Sequence, residues 1–296
     1  MEKILIPTDF SLTAEKAYKL GAEIAKKNDA EIHLLHIIPA IVRRGLSITG
    51  VVEPIVFPVE EEITAAKILL EKLPANPIFE GVKVSTYLLD KTSDDIPTAI
   101  SKFEQEYEID LLICGTDGSR TTRRNYAPII VRHAHCPVIS IENEPENMEL
   151  NHMVLATDFA NTNYKMMDNV WELQKLFNSK LTILFVNTPQ NFKDTQKIEN
   201  EYYLFINKYE LENTELAIFN DYILEDGILK FVDKVEADML LMSTHGRTGL
   251  SHLFNKSHSE YVVGHADIPV YVYNMHMDEV YYNYTLGGSP ATGGFA

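Results

Sequence analysis

The stretch LMSTHGRTGL, residues 241–250, is where this chain comes closest to displaying chemistry. An apolar run ends there, and small, polar and glycine residues follow at once. Glycine lets backbone amides approach an anion closely and takes conformations that other residues resist. A little further on stand Lys256 and Ser257, at the start of a helical segment, SHSEYVVGHA. Ser257 reads as the cap of that helix, whose exposed amides and dipole favour an anion. Lys256 offers an ammonium that meets phosphate as a point charge. The plainer alternative is that the turn is only the way out of a buried strand.

Other chemistries are weaker. His245, His252, His258 and His265 are spaced by six and seven residues. A zinc site needs three or four convergent ligands, and these spacings fit no local metal motif. His245 is best placed to donate a hydrogen bond to a phosphate, while His252 and His258 read as facing solvent. His265 recurs as His133, which suggests a structural role. No G-x-S-x-G, H-E-x-x-H or G-x-x-x-x-G-K-[ST] pattern occurs. Cys114 has no evident activating base and reads as core. Catalysis is not expected.

The bulk properties narrow the partners. A formal net charge of −17 repels a phosphate backbone or an anionic bilayer, so neither nucleic acid nor membrane is expected. The arginine cluster Arg120, Arg123 and Arg124 reads as a solvated loop. No apolar stretch approaches a membrane span, and MEKILIPTDF lacks the regions of a signal peptide. The two cysteines, Cys114 and Cys136, fit buried thiols in a reducing compartment. A cytoplasmic location is expected.

The elements that must position these residues come twice. ILIPTDFS (residues 4–11) returns as MVLATDFA (153–160), and AEIHLLHI (30–37) as SKLTILFV (179–186), both at an offset of 149. EIDLLICGTDG (108–118) returns as EADMLLMSTHG (236–246) at offset 128, and HAHCPVISI (133–141) as HADIPVYVY (265–273) at offset 132. Four landmarks in one order indicate a tandem duplication. The falling offset places 21 extra residues in the middle of the first copy, around residues 42–58. The later rise makes the first copy four residues shorter just after its glycine turn.

Val/Ile/Leu-rich runs alternate with segments of helical period. Ala17, Leu20, Ile24 and Ala25 share one face, as do Met166, Val170, Leu173 and Phe177. That alternation predicts an α/β fold, a parallel sheet covered by helices on both faces. Ligands of such sheets sit beyond the carboxyl ends of the strands. Asp9, Asp158, Gly115 to Gly118 and Ser243 to Gly246 all follow strand ends.

The I-L-x-P-T-D-F-S opening, the G-T-x-G or S-T-H-G turn and the H-A-x-x-P-V-x-V close resemble the universal stress protein family in its tandem form. The resemblance spans residues 4–273. It implies two tandem Rossmann-like domains of the adenine nucleotide alpha hydrolase type, each a mainly parallel five-stranded sheet flanked by helices. The domains are expected at 1–145 and 150–276, followed by a tail, 277–296, that is Gly-rich towards its end. Nucleotide-binding members carry Gly-x2-Gly-x9-Gly-Ser/Thr around the ATP phosphates. The second copy keeps Gly246 and Ser257 but has Ser243 and Lys256 at the first and third glycines. The first copy keeps Gly115 and Gly118 and loses the closing Gly-Ser to its deletion.

The resemblance therefore places ATP or AMP, with Mg as an option, in the second copy. The residues expected around it are Ala156, Thr157, Asp158, Val186, Met242, Ser243, His245, Gly246, Gly249, Lys256, Ser257, His258 and Ser259. Asp158 would meet the sugar or base, and the backbone near Val186 would lie against adenine. The alternative for Asp9 and Asp158 is a cap for the following helix. The two copies are expected to pair within one chain through VISI (Val138 to Ile141) and VYVY (Val270 to Tyr273). A further homodimer stays open. The function implied is a non-catalytic nucleotide-responsive stress protein. Its rivals are a nucleotide-free interaction module and a very weak ATPase.

Overall fold

A computed structural model describes residues 1–39, 42–46, 52–56, 60–92, 94–116, 126–145, 148–160, 162–244 and 256–275. The first half runs β1 (Lys3–Pro7), α1 (Leu12–Asn28), β2 (Glu31–Pro39), β3 (Val42–Leu46), β4 (Val52–Val56) and α2 (Glu60–Lys72). It continues with β5 (Lys83–Thr92), α3 (Ile96–Tyr107), β6 (Leu111–Gly115), α4 (Ala127–His133) and β7 (Val138–Ile141). The second half runs β8 (His152–Ala156), α5 (Tyr164–Phe177), β9 (Lys180–Asn187), α6 (Thr195–Lys208) and β10 (Thr214–Asn220). It closes with α7 (Leu224–Lys234), β11 (Met239–Thr244), α8 (Lys256–Val263) and β12 (Val270–Asn274).

The helices start and stop where side chains satisfy their ends. Ser11 caps α1 by accepting from the Ala14 amide, and Asn163 caps α5 by accepting from Met166. Both close on a left-handed residue, Asp29 and Asn178, whose amide returns to the last turn. The expected inner faces, Ala17, Leu20, Ile24 and Ala25 on α1 and Met166, Val170, Leu173 and Phe177 on α5, are all buried. Strands β1, β6, β8 and β11 are almost wholly buried, as a sheet covered on both faces requires.

Ten strands form one sheet in the order β10-β9-β8-β11-β12-β7-β6-β1-β2-β5, and β3 and β4 stand apart from it. Within the large sheet every pair inside a half is parallel, and the halves meet in the antiparallel pair β7–β12. Val270 faces Ser140, Tyr271 faces Ile139 and Val272 faces Val138. Residues 138–141 and 270–273 therefore pair inside one chain. Tyr271 and Tyr273 are fully buried on one side of this seam. On the other side α4 lies against α8, and Arg132 Nε donates to Glu260 Oε1 at 2.7 Å across it.

The extra length of the first copy divides. The antiparallel hairpin β3–β4 occupies the expected stretch. A second share falls in two short 3-10 turns, Leu73–Ala75 and Pro77–Phe79, where the second copy passes directly from α6 towards β10. Phe79 is buried there against Tyr18, so this part adds to the core as well as to the surface. Among the described residues, no helix is long and apolar enough to cross a membrane.

Because Tyr271 fills the seam without exposure, Tyr271→Ala is expected to leave a cavity and cost about 3–5 kcal/mol. Urea denaturation of the variant against the parent chain measures it. A loss below about 1 kcal/mol would mean the seam carries little of the stability.

Candidate functional site

Beyond β8 the chain turns through Thr157, Asp158, Phe159 and Ala160. Phe159 has a left-handed backbone (φ 67°), an unfavourable conformation for a bulky residue. Two side chains hold it: Thr157 Oγ1 accepts from the Phe159 amide at 3.0 Å, and Asp158 Oδ1 accepts from Ala160 at 2.9 Å. The first copy repeats the device. Phe10 has φ 62°, Thr8 Oγ1 accepts from Phe10 at 2.9 Å and Asp9 Oδ1 accepts from Ser11 at 3.0 Å. The repeated Thr-Asp-Phe is thus one braced turn made twice. The helix caps are Ser11 and Asn163, so the reading of either aspartate as a helix cap is corrected.

A cavity of about 340 Å³ opens on the second of these turns. Thr157, Asp158, Val186, Ile223, Glu225 and His258 are among its lining residues, with Ala156 at its strand end. The loop after β9 forms another wall. Asn187 fixes that loop by accepting from the Lys193 amide at 3.0 Å and donating to the Lys193 carbonyl at 3.1 Å. Behind Val186 lies Gly227 of α7, where an added Cβ would stand 2.6 Å from Val186 Cγ1. At the mouth, His258 of α8 pairs through Nδ1 with Glu225 of α7.

Of the residues expected from the sequence, Ala156, Thr157, Asp158, Val186 and His258 come together around this cavity. Met242 and Ser259 are buried and are not among its lining residues, and Ser243 is half-buried, one residue before the end of β11. Lys256 and Ser257 form the first turn of α8. The helix starts at Lys256, so Ser257 stands inside the first turn and not at the cap. His245, Gly246 and Gly249 lie outside the described residues, as does His252. His258 does not face open solvent, because it is half-buried against Glu225. His265 stacks on Tyr261 at 3.8 Å and bonds the Tyr261 carbonyl, a contact local to its own helix.

Sequence reasoning missed Glu225, Tyr222, Ile223 and the loop residues Thr188, Gln190 and Asn191. They lie after β9 and β10, where no repeat marks them. The only signal was the general rule that ligands sit beyond strand ends.

The first copy has its own cavity of about 490 Å³ at the equivalent place, lined by Asp9, Ser11, His36, Gly115, Thr116 and Tyr126 among others. Its shorter loop leaves a shorter helix. By the 132-residue offset Lys256 corresponds to Arg124, yet α4 starts only at Ala127, with no side-chain cap and a proline in its first turn. Gly115 answers to a close approach, since a Cβ there would stand 2.4 Å from the Thr13 carbonyl oxygen. Ser243 occupies that position in the second copy, and α5 begins three residues later in the repeat than α1. The helix has withdrawn from the side chain. Cys114 is fully buried beside this cavity, and burial pushes its thiol up to about 12, far from a nucleophile's range.

Fold and cavities together define a tandem α/β protein with two cavities at the carboxyl ends of parallel strands. A sequence profile of the universal stress protein family matches residues 1–141 and 224–274, more than half of the chain. The chain belongs to the universal stress protein family. It is 30% identical over 145 residues to a universal stress protein of Methanocaldococcus jannaschii, covering 48% of this chain and 82% of that one. Among solved structures, a universal stress protein from Archaeoglobus fulgidus superposes with a TM-score of 0.70 at 18% identity, covering 92% and 96% of the two chains. The cytoplasmic domain of a prokaryotic cation chloride cotransporter shares the fold too, with a TM-score of 0.51 at 10% identity and coverage of 92% and 94%. The fold by itself therefore does not select a function.

Gly227→Ala is expected to push Val186 into the second cavity and lower the melting temperature by a few degrees, with the cavity narrowed. Thermal unfolding and a crystal structure of the variant check both. An unmoved Val186 would refute the claim that Gly227 sets the cavity wall.

Proposed function

We propose that the second-copy cavity binds an adenine nucleotide without turning it over, and that the division of the chain at residues 145–150 separates a binding half from a half whose phosphate loop has lapsed. One observation carries the reading: Ala156 to Asp158, Val186 and His258, from the start of α8, converge on a single cavity of about 340 Å³. That volume lies in the range of small-ligand sites. The amides of the first turn of α8 suit an anionic group. The first-copy helix α4 lacks that turn, which favours the second copy for phosphate despite the larger cavity of the first.

Two carboxylates, Asp158 and Glu225, line the second cavity. Bare phosphate beside them is repelled, whereas Mg²⁺ is commonly held by one or two carboxylates together with substrate phosphates. This supports the magnesium complex of ATP over the free anion. Lys193 stands just outside, where its Nζ donates to the Asp158 carbonyl at 3.2 Å and to Glu201 at 2.6 Å.

An interaction module is the second reading, favoured by large apolar side chains left open on the second copy. Tyr222 is 84% and Phe192 72% exposed beside the cavity, and Tyr203 and Leu204 are exposed on α6. Calorimetric titration with ATP, with and without magnesium, separates the two. The expected result is one site per chain, weakened at least about tenfold without magnesium or in Asp158→Ala. Two sites per chain would overturn the assignment to the second copy. No heat at several temperatures, with no nucleotide carried through purification, would leave the interaction module.

A further inference from the structure

Helix α3 forms a wall of the first-copy cavity through Ile96 and Ile100. Its inner side carries a feature that no ligand reading uses. Glu104, in its third turn, is buried, and while Oε2 accepts from the His135 amide at 2.7 Å, Oε1 has no hydrogen-bond partner. The Cys136 thiol faces the same carboxyl, and Cys114 of β6 lies close enough to feel its charge. Among the described residues, no lysine or arginine pairs with this carboxyl.

The same helix covers a second buried polar group. His33 of β2 is buried with neither ring nitrogen hydrogen-bonded. Its ring stacks on Tyr87 of β5 at 5.4 Å and meets the edge of Tyr107 of α3 at 6.1 Å. Tyr107 in turn stacks on Phe103 at 4.1 Å. The charged groups around His33 are Glu31, whose Oε1 is 3.9 Å away, Lys3 and Lys83.

We propose that α3 is a proton-operated wall of the first-copy cavity, held down while Glu104 keeps its proton and His33 lacks one, and loosened when either changes. An ionised carboxylate here has one amide and two thiols for company, far short of its hydration in water. The His135 amide and the Cys136 thiol ease the ionised form only in part, and no cation stands beside it among the described residues. The relief open to it is to lift α3 away from the loop between α4 and β7.

The signs run in opposite directions. Burial raises the Glu104 carboxyl from its ordinary 4.5 to about 8. Its contribution to stability is complete below the unfolded value and is lost as pH rises through the folded one. Burial lowers the His33 imidazole from 6.5. That contribution is present above the unfolded value and is lost as pH falls through the folded one. His135, held down by its own burial, and His133 lie on the loop side of Glu104, and Asp110 lies beyond Cys136. None of these is a positive partner for the carboxylate at the alkaline end.

The only two cysteines of the chain, Cys114 and Cys136, lie under α3 and report its opening. Iodoacetamide labelling is followed by mass spectrometry in the parent chain and in Glu104→Gln at matched pH; the charge of Glu104 by itself raises both thiols and slows the parent, so it cannot produce a ratio above one. The expected ratio of parent to variant rates is near one at pH 6 and at least about tenfold at pH 9. Hydrogen exchange supplies a second readout: α3 amides should lose protection from pH 7 to 9, beyond the intrinsic pH effect, while α5 amides do not. His33→Phe should keep α3 protected at pH 5, where the parent loses protection. A labelling ratio near one at pH 9, or exchange of α3 and α5 rising together, overturns the proposal. If Glu104→Gln does not fold, α3 exchange relative to α5 in the parent chain decides the matter alone.

Discussion

The antiparallel pairing of β7 with β12 is the constraint on which the rest depends. Each half ends in a strand whose free edge would otherwise expose unpaired amides and carbonyls. Pairing the two edges removes both and turns two five-stranded halves into one sheet. The antiparallel sense then dictates the layout of function. Strands of the two halves run in opposite directions, so the two cavities, each beyond its own strand ends, open at opposite edges of the sheet. The seam also brings α4 and α8 together, and each of these helices borders a different cavity.

Within each half, one local device prepares the site. Threonine and aspartate brace a phenylalanine in a left-handed turn, and the phenylalanine ring is then available to the core side of the sheet. In the second copy Phe159 stacks on Phe185 at 5.8 Å. The aspartate is left at the cavity rim with one oxygen engaged by the backbone. Structural and binding readings of Asp158 are therefore compatible, since a braced carboxylate is also a positioned one.

The copies have diverged in compensating pairs. Where Gly115 admits the first turn of α1 against β6, Ser243 does not, and α5 starts later. Where the loop before α4 is short, the helix loses a turn. The first copy instead buries titratable groups, Glu104 and His33, where the second buries Val232 and Thr182. Cavities of equal ancestry thus differ in charge: two carboxylates and a histidine line one, a single carboxylate, Asp9, and a histidine the other.

Sequence alone determined the duplication, the strand-helix alternation, the inner faces of α1 and α5 and the pairing segments at 138–141 and 270–273. The first three rest on local periodicity and on residues that recur at constant offset, which survive reading in one dimension, while the pairing segments came from the family resemblance. Through the family resemblance it also named five residues that meet at the second cavity: Thr157 and Asp158 just after β8, Ala156 and Val186 in strands, and His258 on α8. Only the tertiary structure decided that the aspartates brace turns and cap no helix, that Glu225 meets His258, and that Gly227 sets the wall behind Val186. It alone showed that the first copy keeps a cavity despite its shortened loop. Each of these depends on how close separate helices and strands approach, a distance set by packing across the sheet and carried by no single segment of the chain.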